Sequence, residues 1–100
     1  MAKFDVYGLS SLPTPFLIDL QDDIIDNLST RVVAPLIPAD EVHKKIRILN
    51  PVIDVNGEEY VMMTHLLAAI PASELLTKVA NMTKQRDDII AALDFLFTGF

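Results

Sequence analysis

Four aspartates crowd one short run, Asp19-Leu20-Gln21-Asp22-Asp23-Ile24-Ile25-Asp26. Carboxylates at such spacing could offer oxygen ligands to a hard cation. The run lacks the central glycine and terminal glutamate of a calcium-binding loop. It therefore reads as a solvated acidic loop around Ile24 and Ile25. Two adjacent β-branched apolar residues flanked by acids cannot both leave water in a short loop. At least one of them is expected to be a contact residue. His43 and His65 are the chain's two histidines. Neither stands at a recognisable spacing from a partner. Nucleophilic catalysis would have to combine one of them with a serine or threonine, and a lone histidine is more often structural or solvated. The chain has no GxSxG elbow, P-loop, GxGxxG or HExxH motif. Met62-Met63 could form an adaptable contact surface, with core packing as the default reading.

A second candidate is the ending Asp94-Phe95-Leu96-Phe97-Thr98-Gly99-Phe100. Its three phenylalanines are either core or a surface for something else. Ile89, Ile90, Leu93, Leu96 and Phe97 recur at three- and four-residue steps and so share one helix face. Lys84, Asp87, Asp88, Ala91, Asp94 and Thr98 fall on the other. This pattern buries Phe97 and leaves Asp94 and Thr98 as neighbours on the open face. Gly99 stands where a left-handed cap ends a helix, and Phe100 could then fold back on Phe95.

The elements that would position these residues divide into a strand-rich part and a terminal helix. Lys3–Tyr7 alternates as a half-buried strand does. Gly8–Pro15, with its glycine, serines and prolines, reads as a loop. Phe16–Gln21 and Arg31–Leu36 are strand candidates, and Pro35 suggests that the latter lies at an edge or ends there. Val52–Thr64 gives the clearest local signal. Asn56-Gly57 between two apolar runs predicts a type I′ hairpin pairing Val55 with Glu58, Asp54 with Glu59, Ile53 with Tyr60 and Val52 with Val61. Pro38–Lys45 and Ala72–Val79 fit no one element, and Ile70-Pro71 marks a break. Asn81 or Thr83 can cap the terminal helix, and Asp87 and Asp88 suit its positive end. Strands followed by one helix predict an all-β or α+β domain.

A chain of 100 residues is expected to form a single domain over 1–100. Its hydrophobic share of 51% is more than so small an interior can hide. Some apolar surface should face a partner, most simply a second copy in a homodimer. The absence of cysteine fits a reducing compartment. No signal peptide or bilayer-spanning run is visible, so a soluble, cytoplasmic protein with no membrane partner is expected. The net charge of −6 disfavours a direct hold on nucleic acid. A local basic patch at Lys44, Lys45 and Arg47 is the exception. Nothing implies a metal or cofactor.

Several stretches in order resemble the CcdB toxins of bacterial toxin–antitoxin modules: Asp19–Asp26 (DLQDDIID), Thr30–Leu36 (TRVVAPL), Pro51–Thr64 (PVIDVNGEEYVMMT) and Arg86–Phe100 (RDDIIAALDFLFTGF). The likeness spans nearly the whole chain. It implies an SH3-like, largely antiparallel β-barrel of the CcdB/MazF type with a C-terminal α-helix, homodimeric. It implies a toxin that binds the DNA gyrase A subunit and traps the complex holding cleaved DNA, without being an enzyme. It further implies a CcdA-like antitoxin that neutralises the toxin, with operator DNA bound only through the toxin–antitoxin complex. By position, the gyrase-binding residues would be Ile24, Ile25, Asp94, Phe97, Thr98, Gly99 and Phe100. Two departures stand out. Known members end Trp-Gly-Ile where this chain has Thr98-Gly99-Phe100, and the uncharged Gly8–Pro15 replaces a basic loop that helps receive the antitoxin.

Two other readings compete. A MazF/Kid-like endoribonuclease toxin shares the fold and would need a base, an acid and a cation at the scissile phosphate. Arg31, His65 and nearby acids are its candidates. A degenerate CcdB homologue would bind antitoxin without poisoning gyrase, as Thr98 suggests.

Overall fold

The computed structural model describes residues 2–9, 12–23 and 28–99. Phe4 has a φ of 72°, outside the range of strand backbone, so the first strand, β1, begins at Asp5 rather than at Lys3. It runs Asp5–Leu9 and pairs antiparallel with β2, Leu12–Asp19, with Tyr7 opposite Leu17 and Val6 opposite Ile18. The expected loop Gly8–Pro15 is therefore mostly strand. Register between β2 and its other neighbour starts only at Phe16, and its register with β1 shifts between Tyr7 and Leu9, so Pro13 and Pro15 fall in the irregular part of the strand, where prolines are tolerated.

That neighbour is β3, Thr30–Pro38, which is central and not an edge. One side pairs with β2 over 16–19. The other pairs with β6 (Ala68–Pro71) over 30–33 and with β5 (Glu58–Met62) over 36–38. Pro35 sits at this change of partner. Its carbonyl accepts from Met63 N at 3.0 Å on the β5/β6 side. A strand residue's N–H and C=O point to the same side, so the proline nitrogen faces the gap between the two partners.

β4 (Val52–Val55) and β5 form the hairpin with the expected register. Asn56 and Gly57 have φ values of 53° and 90°, as the type I′ turn requires. The Asp54 carboxylate accepts from Gly57 N at 2.8 Å. Asp54 and Glu59 face each other, but both are exposed, so water screens them. β7 (Thr77–Asn81) pairs with β1 after a 3-10 turn at Ala72–Glu74. The sheet order is β4-β5-β3-β2-β1-β7, with β6 on β3. All the pairings are antiparallel.

The path ends at β4 and β7, and the register joins neither to the other. The curled sheet is thus a half-barrel of SH3-like type, and side chains bridge its seam. Asn56 Nδ2 donates to Val79 O at 3.1 Å. The Gln85 amide accepts from Asp54 N and donates to Val52 O, both at 2.9 Å, standing in for a neighbouring strand. Inside the curl lie Val6, Ile18, Leu36, Ile53 and Met62, capped by Ile89 and Ala92 of the C-terminal helix α1, Arg86–Thr98. A smaller cluster of Tyr7, Leu17, Val33 and Leu75 covers the sheet's other face.

Candidate functional site

α1 follows a 3-10 turn at Thr83–Gln85, and Asn81 Oδ1 accepts from Thr83 N at 3.0 Å. Asp87 and Asp88 lie in its first turn, where carboxylates favour the helix dipole. Gly99 closes it in the left-handed region (φ 79°), and its N–H donates to Phe95 O at 3.0 Å. Burial along α1 declines toward this end. Ile89 and Ala92 are wholly buried, Ile90 and Leu93 pack at the edge of the core, and Phe97 is 71% exposed. The shared-face pattern expected Phe97 to be buried. That expectation fails because the last turn extends past the edge of the core that Ile89 and Ala92 cover.

Phe97 instead walls an apolar hollow of about 470 Å³. Leu20, Val32, Leu67 and Leu93 line it with Phe97, as do the polar residues Lys3, Gln21 and Asp22. The hollow therefore brings the end of α1 beside the first residues of the acidic run. Asp94 and Thr98 are exposed on the helix, and Thr98 Oγ1 donates to Asp94 O at 2.6 Å, so its hydroxyl turns inward on its own helix. Ile24, Ile25, Asp26 and Phe100 lie outside the described residues.

The stem of the acidic run is fixed by buried charge. Asp19 was expected to belong to a solvated loop. It is fully buried at the end of β2, because Arg31 on β3 meets it. Arg31 Nε and Nη2 both reach Asp19 Oδ2, at 2.8 and 2.6 Å, and Nη2 also donates to Gln21 O at 3.1 Å. Asp19 Oδ1 accepts from Gln21 N at 3.0 Å, and Gln21 Oε1 accepts from Val32 N at 3.1 Å. Burial pushes the Asp19 carboxyl above its ordinary value, against the pull of Arg31 and the Gln21 N–H. Asp23 is exposed, accepts from Lys3 N at 2.7 Å and lies 3.9 Å from Arg31 Nη2. Arg31 thus ties the chain just before Ile24 to the sheet.

Arg31 is fully buried, while His65 is exposed at a 3-10 turn. The cation that RNA cleavage would need is turned inward onto Asp19. Among the described residues no group of three histidine or acidic side chains is arranged to hold a metal, and no helix is long and apolar enough to cross a membrane. Residues that the sequence reading did not single out for the site are Leu20, Val32, Leu67 and Lys3, which line the hollow. They read as ordinary core or surface positions, because only the curl of the sheet brings them under Phe97. A family model described as the CcdB protein matches residues 3–99 of this chain.

Proposed function

The chain belongs to the CcdB family, whose members are toxins of toxin–antitoxin modules and not themselves enzymes, and on that premise we propose that it binds the gyrase A subunit and traps gyrase on cleaved DNA. The observation that carries this is the exposure of Phe97 above an apolar hollow, beside the anchored stem of the acidic run. A large aromatic ring left in water on a rigid helix is what an interface anchor needs. The binding residues are Phe97, Asp94, Thr98 and Gly99 at the helix end, with Ile24, Ile25 and Phe100. Phe97 and Phe100 supply the aromatic surface that a tryptophan at position 98 would otherwise give.

The same reading makes the protein one domain over 1–100 that acts in the cytoplasm as a homodimer. Exposed Leu28, Ile46, Ile48, Leu66 and Leu76 support a partnered surface. A CcdA-like antitoxin neutralises it, and the pair represses its own operon. A second reading, an antitoxin-binding homologue that poisons nothing, is favoured by Thr98, whose hydroxyl bonds to its own helix.

The test is a cleavage assay with purified gyrase, ATP and supercoiled plasmid, with trapped breaks released by detergent and protease. Linear DNA is expected with the wild-type chain and not after deletion of Gly99-Phe100. Linear DNA with neither, using the gyrase of the native host, would select the second reading. Full activity in a folded truncation would remove the helix end from the mechanism.

A further inference from the structure

We infer that Asn56-Gly57 is a site of spontaneous deamidation, that the closed seam of the half-barrel holds the reaction off, and that the reaction opens the seam once it occurs. The chain's four asparagines are followed by Leu28, Pro51, Gly57 and Met82. Asn56 alone precedes a glycine, whose nitrogen has no side chain beside it to hinder attack on a neighbouring group. Both residues are exposed at the tip of the hairpin, and no atom lies within 4 Å of where a Gly57 side chain would begin. A hollow of about 550 Å³ in the seam, lined by Asp54, Asn56, Gly57 and Gln85 among others, gives water access to them.

The chemistry needs only water. The Gly57 backbone nitrogen loses its proton to base and attacks the Asn56 side-chain carbonyl carbon. A C–N bond forms to Gly57, the bond to Nδ2 breaks, and ammonia leaves with a proton from solvent. Water then opens the cyclic imide at one of its two carbonyls. One opening leaves aspartate. The other leaves isoaspartate, whose backbone runs through the β-carbon. An amide is exchanged for a carboxylate, with no oxidant or reductant.

Two hydrogen bonds keep the reacting groups apart in the fold. The Gly57 N–H donates to Asp54 Oδ1 at 2.8 Å. The carboxylate accepts this hydrogen and its charge opposes an amide anion, so the nitrogen stays protonated and unreactive. Asn56 Nδ2 donates to Val79 O at 3.1 Å, which draws the side-chain amide across the seam to β7. Both bonds are exposed, so local opening of the hairpin frees both groups. The product cannot restore the closed state. A carboxylate has no hydrogen to give Val79 O, and it adds a negative charge to the hollow that Asp54 already lines. The extra backbone atom of isoaspartate also breaks the two-residue turn that sets the register of β4 and β5.

The test incubates the full chain in one alkaline buffer, folded and in guanidinium chloride, and follows the tryptic peptide 48–78 by mass spectrometry. Asn50 lies in the same peptide, but Pro51 has no N–H with which to attack it. Amide-to-acid conversion at Asn56 is expected in both samples, slower in the folded chain by roughly tenfold or more. Asp54→Ala removes the acceptor of the Gly57 N–H and should raise the folded rate several-fold while leaving the rate in denaturant unchanged. Asp54→Asn keeps an acceptor and should stay closer to wild type. Asn56→Asp keeps a residue suited to the turn but loses the donor, so it should lower Tm and speed hydrogen exchange at Asp54 N. No conversion in denaturant, equal rates in the folded and unfolded chain, a folded rate that Asp54→Ala does not raise, or an Asn56→Asp chain with unchanged Tm would each overturn the inference. None of these outcomes depends on gyrase.

Discussion

Arg31 Nη2 lies 2.6 Å from Asp19 Oδ2, with both side chains excluded from water. The pair joins the end of β2 to the start of β3. Removing one partner breaks this pair and leaves the other charge buried, which costs on the order of 3–5 kcal/mol. Asp19→Leu and Arg31→Met should each come close to unfolding a small domain of ordinary stability. The double variant should cost clearly less than the sum. Urea denaturation of the four proteins measures this. Additive losses would mean that the two groups act independently and that Arg31 serves something other than Asp19.

Phe97 is a test of contact against core. Its ring is 71% exposed, so Phe97→Ala should shift stability by no more than about 0.5 kcal/mol. The same change should reduce gyrase-dependent DNA cleavage by an order of magnitude or more, as loss of an aromatic anchor of about 2 kcal/mol implies. Paired thermal melts and cleavage titrations read the two effects. A large loss of stability would return Phe97 to the core.

Gln85 makes a prediction about the seam of the half-barrel. Its amide meets Asp54 N and Val52 O, the backbone groups of an otherwise open edge. Gln85→Ala should cost about 1–2 kcal/mol, one or two ordinary hydrogen bonds. Gln85→Glu keeps the acceptor for Asp54 N but turns a lone pair toward Val52 O, so it should also destabilise. Hydrogen exchange at Asp54 N should speed up in Gln85→Ala, which removes its acceptor. Unchanged exchange would show that the seam is closed by Asn56 instead.

These cases show what the sequence could and could not carry. The hairpin from Val52 to Val61 was legible to the residue, because Asn56-Gly57 fixes the turn and a two-residue turn fixes the register. The helix and its left-handed end at Gly99 were legible for the same local reason, but its start was not: α1 begins at Arg86 after Gln85, and neither Asn81 nor Thr83 caps it. β6, with Ala68-Ala69-Ile70-Pro71, was not, since it has no alternation and owes its place to pairing with β3. Pro35 was misread because its tolerance depends on a partner change that only tertiary structure creates. Asp19 looked like its acidic neighbours, and only Arg31, twelve positions away, sets it apart. For the candidate site, periodicity named the right helix face but not where the core stops beneath it. Phe97 therefore changed from buried to exposed, while Asp94 and Thr98 stayed on the open face.

Tyr7 supplies the pH dependence. Its hydroxyl donates to Asp5 Oδ2 at 3.2 Å, and its ring packs with Leu17 and Val33. Burial, then the Asp5 charge and hydrogen bond, push the phenol up to about 12 from an ordinary 10.0. The unfolded chain thus releases this proton first. The stability it contributes is complete below pH 10 and is lost as the pH climbs through about 12. Over that window wild type should lose stability with pH more steeply than Tyr7→Phe. Tyr60 is also raised, by burial and Glu58, so both proteins should carry Tyr60→Phe. Urea midpoints across the window give the two slopes. Asp5→Asn should remove part of the difference by deleting the charge that opposes the phenolate. Equal slopes with and without Tyr7 would show that the phenol is no better held in the fold than in the open chain.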